Sequence, residues 1–179
     1  MSLLQAVTRA FTPALPELER PHLDLSGPRL KQAFEALLVG SEALGGIERY
    51  VQALRLKNTL FQEALRDSVG RTLALETFRG LCPFMSSIRR RIGPYVEEDK
   101  FPGLRDAIAE LFTDATNTTF IDTRIEHFCS QFPRDKSHRW VSDLAAELLH
   151  NAYPERYPLM SRWVWNRQSN TGVLREIWF

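Results

Sequence analysis

The chain of 179 residues holds only two cysteines, Cys82 and Cys129, and no Cys-x-x-Cys pair. That is too few for a disulfide framework and the wrong spacing for a zinc site. Lone cysteines of this kind fit a reducing, cytoplasmic compartment, where they behave as small buried hydrophobes. No apolar run approaches the roughly 18 residues that span a bilayer, and the opening MSLLQAVTR lacks a charged-then-apolar leader pattern. A surplus of one sign of charge is also missing. Lys and Arg number 23 against 22 Asp and Glu, a formal net charge of +1, so no global field recruits nucleic acid or an anionic membrane. Gly-x-Ser-x-Gly elbows, Walker loops and dinucleotide fingerprints are absent from the sequence. These gaps predict a soluble protein without a cofactor, and they lean against an enzyme.

Helical periodicity is what the sequence does have. Leu30, Phe34, Leu37 and Leu38 fall on one face, as do Ile47, Tyr50, Val51 and Leu54. Leu60, Phe61, Ala64 and Leu65 repeat the spacing, and so do Leu104, Ile108, Leu111 and Phe112. Ile121, Ile125, Phe128 and Phe132 follow, then Val141, Leu144, Ala145, Leu148 and Leu149. Each set matches the i, i+3, i+4, i+7 template, and no segment alternates with a period of two. The spacing therefore predicts one all-α domain over residues 1–179, a bundle of about seven or eight helices.

Breakers divide the bundle. Pro28 suits a first helical position, where its missing N–H costs nothing. Gly40 and Gly45-Gly46 break the first helical stretch, and Pro83 predicts a kink or break near Cys82. Gly93-Pro94 closes that segment, Phe101-Pro102-Gly103 opens the next, and DATNTT (residues 114–119) reads as a loop. Pro13, Pro16 and Pro21 make residues 12–27 an extended arm.

Residues 152–179 read as an aromatic C-terminal cap. All four tryptophans, Trp140, Trp163, Trp165 and Trp178, lie in the last forty residues, and the chain ends Ile-Trp-Phe. Such a segment can plug the core, with polar edges left wet, or present the residue types that dominate interface hot spots. Trp163 and Trp165 flank Val164, a spacing that aims the two rings apart and predicts one buried and one exposed. The leading expectation is a non-enzymatic helical adaptor or accessory subunit. It would hold a protein partner through Tyr153, Tyr157, Trp163, Trp165, Trp178 and Phe179.

DLAAELLHNAYPERYPLMSRWVW is similar in rhythm to the final helix and turn of helix-hairpin-helix DNA-glycosylase-like proteins. The matching positions are Leu149, His150, Pro154, Tyr157 and Pro158. Where that family carries its aspartate this chain has Ser161, and the glycine-rich hairpin that would hold DNA phosphates is not evident upstream. Glycosylase chemistry would lack its acid and is not carried over.

Charge is segregated along the chain. Residues 48–91 carry nine Lys and Arg against four acids, whereas residues 97–126 carry eight acids against three bases. The halves can attract one another within the bundle. Alternatively Arg89, Arg90 and Arg91 meet nucleic acid or an acidic protein, although three consecutive arginines cannot share one helix face. A third reading places a metal on Glu147 and His150, a Glu-x-x-His pair of the kind that di-iron bundles use twice. The second such pair is missing, and i, i+4 pairing of Arg139 with Asp143 gives the ordinary account of that face.

Overall fold

The structure, a computed structural model, describes residues 27–66, 70–166 and 169–174. Apart from Gly27, the arm expected over residues 12–27 lies outside the described residues, as do Trp178 and Phe179. Among the described residues there are six α-helices: α1 (Pro28–Glu42), α2 (Gly46–Leu65), α3 (Leu75–Leu81), α4 (Phe101–Phe112), α5 (Ile121–Ser130) and α6 (Trp140–Ala152). Single 3-10 turns occur at Cys82–Phe84, Gly93–Tyr95 and Lys136–His138. These residues contain no strand, only an isolated antiparallel bridge between Asn166 and Thr171. The fold is all-α. A count of seven or eight helices is not reached among the described residues. One reason is that the two apolar sets over residues 47–54 and 60–65 share one helix, α2, which no glycine or proline interrupts after Gly46.

Local chemistry sets the boundaries. Pro28 and Pro102 sit in the first turns of α1 and α4. Between α1 and α2 the chain reverses through Gly45 and Gly46, both in the left-handed region at φ 97° and 87°, where a side chain would be strained. Pro83 has no N–H to continue α3, so the chain tightens there into the Cys82–Phe84 turn. Asp135 caps the turn ahead of α6, its carboxylate accepting from the backbone N–H of Ser137 at 2.7 Å and of His138 at 3.2 Å.

The core is built around α6, which packs on α2 and α5, while α4 packs on α5 and α3 on α2. Leu144, Leu148 and Leu149 of α6 meet Phe61 and Leu65 of α2, Leu104, Ile108 and Leu111 of α4, and Phe128 of α5 in one buried cluster. Each such side chain contributes about 1.5–3 kcal/mol when fully buried. The apolar sets of α1 and of the first half of α2 have a different fate. Phe34 is 54% exposed and Leu37 42%, and Tyr50, Val51 and Leu54 are also exposed. Here the chain forms a two-helix hairpin in which α1 packs on α2, with no further helix covering their shared apolar stripe among the described residues.

Candidate functional site

The aromatic C-terminal stretch divides at Pro158. Before it, the side chains are framework. The Tyr153 ring lies 4.4 Å from the Arg66 guanidinium and 6.2 Å from the Phe112 ring. Tyr157 is buried; its hydroxyl donates to the Ala115 carbonyl at 2.5 Å and accepts from Arg124 Nη2 at 3.2 Å. His150 Nδ1 meets the Tyr157 carbonyl at 2.8 Å, and Arg66 Nε donates to the Ala152 carbonyl at 2.5 Å. Tyr153 and Tyr157 therefore hold the turn after α6 against α4 and α2.

After Pro158 the chain is clamped and then turns outward. Asp143, buried on α6, accepts from the Arg162 backbone N–H at 2.9 Å and from its guanidinium at 2.8 and 3.1 Å. Asp143 thus pairs with Arg162, nineteen residues on, rather than with Arg139 as the local spacing predicts. Trp163 and Trp165 follow, 49% and 41% exposed. This corrects the expectation that one would be buried. Beyond the clamp the segment is closed by its own backbone: Asn166 N–H donates to the Thr171 carbonyl at 2.7 Å, and the N–H groups of Val173 and Leu174 donate to the carbonyls of Trp163 and Val164, each at 3.0 Å. Gly172 lets the two arms of this loop touch, since a Cβ there would lie 2.5 Å from the Val164 carbonyl oxygen.

Arg89, Arg90 and Arg91 occupy the turn between Cys82–Phe84 and Gly93–Tyr95. Ile88 and Ile92, one helical turn apart, are buried and pin this turn to the core, which leaves the three arginines between them exposed. Among the described residues none of the three guanidiniums has a hydrogen-bond or ion-pair partner. Arg90 and Arg91 share a concavity of about 480 Å3 with Ser86, Asp143, Arg162 and Trp163. Arg90 also borders a second concavity of about 480 Å3, where Arg79 and Arg89 stand over Cys82, Ile92 and Val96. In that second site Arg79 is already committed to the Val96 carbonyl and to Glu76. The arginine cluster and the aromatic surface, two separate readings in sequence, thus meet at one place.

Glu147 and His150 are engaged apart from one another. The Glu147 carboxylate is buried and lies 3.5 Å from Lys57 Nζ, 3.0 Å from the Ser87 hydroxyl and 3.3 Å from Asn151 Nδ2. It ties α6 to α2 and to the arginine-bearing turn. Among the described residues no group of three or more His, Cys, Asp or Glu side chains is placed to hold a metal ion.

A further concavity, about 700 Å3, is lined by Glu126, Cys129, Arg134, Asp135, His138 and Arg139, among others. Both ring nitrogens of His138 are in use, Nδ1 with Asp135 at 2.9 Å and Nε2 with the Tyr95 hydroxyl at 2.8 Å. Hydrogen bonds from Ser137 and His138 hold the Asp135 carboxyl down at about 2. Burial raises the Cys129 thiol above its ordinary value and pushes Cys82 up to about 11. Neither sulfur is set up as a thiolate nucleophile. This group escaped sequence reasoning: Asp135 and His138 are a local i, i+3 pair, but their partner Tyr95 lies forty-three residues before His138. No helix among the described residues is long and apolar enough to cross a membrane. No protein-family model, curated protein or solved structure matches the chain.

Proposed function

We propose that the protein is a non-catalytic helical binding module that holds a macromolecular partner on its C-terminal face. The observation that carries this reading is the pair of half-exposed indoles, Trp163 and Trp165, on a loop clamped to α6 by Asp143 and Arg162. An exposed tryptophan leaves a large apolar area in water, and Trp and Arg are among the residue types enriched at interface hot spots. Preorganisation supports the same reading, because a loop already fixed loses little freedom on binding. Of the aromatic contacts expected from sequence, Tyr153 and Tyr157 serve the framework, so the site rests on Trp163 and Trp165.

The test is a double substitution, Trp163→Ala with Trp165→Ala. The expected result is a thermal midpoint within about 2–4 °C of the parent, equivalent to under about 1 kcal/mol, together with loss of the species that cross-links to the parent protein in its native extract. A collapse of the midpoint would make the indoles structural and end the proposal. Unchanged cross-linking would end it equally.

A further inference from the structure

Resting on that reading of the C-terminal face, we infer that its ligand is single-stranded nucleic acid, with a base stacked on Trp163 and phosphates held by Arg90 and Arg91. Three separate stretches of chain converge there. Ile88 and Ile92 anchor the turn that offers Arg90 and Arg91; α6 supplies Asp143; and the loop after Pro158 supplies Arg162 and Trp163 around the same concavity.

The charges in that concavity do not cancel. Arg162 is matched by Asp143, which leaves the guanidiniums of Arg90 and Arg91 without a partner among the described residues. Two uncompensated guanidiniums beside an exposed aromatic face supply both parts of single-strand recognition, an anion clamp for the backbone and a π-surface for a base. A duplex hides its base faces and would leave Trp163 with nothing to stack on. An acidic peptide would use the arginines but has no need of the indole face. The Ser86 hydroxyl lines the same concavity and offers a donor for a phosphate oxygen or sugar hydroxyl. Arg90 also borders the concavity lined by Arg89, which places next to this site a third arginine whose guanidinium has no partner among the described residues. Rigid placement follows from two buried carboxylates. Glu147 holds Ser87 at the base of the arginine turn, and Asp143 holds Arg162 directly before Trp163.

The experiment uses the full chain and fluorescein-labelled DNA and RNA oligonucleotides of about 12 nucleotides, the matching DNA duplex, and poly-glutamate, at about 50 mM salt. Fluorescence polarisation should report binding of single strands with quenching of tryptophan emission, and weaker binding of the duplex. Trp163→Ala should weaken single-strand binding roughly 5- to 150-fold, while Trp163→Phe, which keeps a stacking ring, should retain most of it. Arg90→Ala with Arg91→Ala should weaken binding and make the slope of log affinity against log salt shallower by about 1.4, the value for two lost phosphate contacts. No detectable single-strand binding overturns the inference. So does binding of poly-glutamate or duplex at equal strength, or single-strand binding indifferent to Trp163. If the oligonucleotides fail while the native cross-link survives nuclease treatment and still needs Trp163 and Trp165, the partner is a protein. The binding-module reading then stands and only the nucleic-acid assignment falls.

Discussion

Helix α6 and the α1–α2 hairpin are amphipathic at the same period, yet they meet water very differently. Leu144, Leu148 and Leu149 of α6 are fully buried, whereas Phe34, Leu37, Val51 and Leu54 of the hairpin stay substantially exposed. The difference lies in the number of neighbours rather than in the pattern. Helix α6 lies between α2 and α5, while among the described residues α1 has α2 alone as its principal support. An apolar stripe says that a helix has a side to cover; it does not say what covers it. Even α2 is divided by this rule, for its apolar face is buried at Phe61 and Leu65 and open at Val51 and Leu54.

Substitutions on the two sides should separate the regions most sharply. Trp140→Ala, at the buried start of α6, is expected to cost about 3–5 kcal/mol, enough to unfold a domain of ordinary stability. Urea denaturation followed by circular dichroism measures it; a loss under about 1 kcal/mol would mean that α6 is not the centre of the fold. Glu147→Ala comes next, at about 1–3 kcal/mol. Asn151 keeps its 2.7 Å bond to the residue 147 carbonyl, but Ser87 loses its acceptor and Lys57 its ion pair. A chemical shift or hydrogen-exchange change confined to residues 86–91 would localise the effect to the arginine turn.

In the hairpin, Leu54→Ser should change global stability by no more than about 0.5 kcal/mol, as for a surface site. A loss as large as that of Trp140→Ala would show the stripe to be covered in solution and erase the contrast between the two regions.

The smallest effect is a pH dependence. With the Asp135 carboxyl held at about 2, below the ordinary value of about 3.9, its contribution is complete above about pH 4 and is lost as pH falls through about 2. Asp135→Asn should flatten that part of the stability profile. An identical slope between pH 5 and 2 in parent and variant would show that Asp135 does not titrate with folding.

These contrasts explain which features could be read from sequence. Helix α6 was legible because its apolar repeat, Val141, Leu144, Ala145, Leu148 and Leu149, is a local signal. The break after Leu81 was legible for the same reason, since Pro83 has no N–H to donate. What escaped was pairing over distance. The Asp143–Arg162 clamp spans nineteen residues and the Ser87–Glu147 bond sixty, and no periodicity reports either. The meeting of Arg90 and Arg91 with Trp163 depends on both, so the arginines and the indoles looked like rival sites in the sequence. The two-residue spacing of Trp163 and Trp165 misled in another way. It set the relative directions of the rings but not whether any helix stood on either side of them.

Because one end of α2 is in the core and the other in the hairpin, its 20 residues, about 30 Å of continuous helix, cross two regimes of local stability. Amide hydrogens near Phe61 and Leu65 can exchange with deuterium only when the whole core opens. Those between Gly46 and Leu54 exchange through fraying of a hairpin that few buried contacts restrain. Protection should therefore fall along a single rod, from global unfolding at its C-terminal end to brief local opening at its N-terminal end. A proteolytic cut in the Ala43–Gly45 turn would detach α1 while leaving Phe61 and Leu65 of α2 seated in the core, so the step in stability lies inside α2 itself.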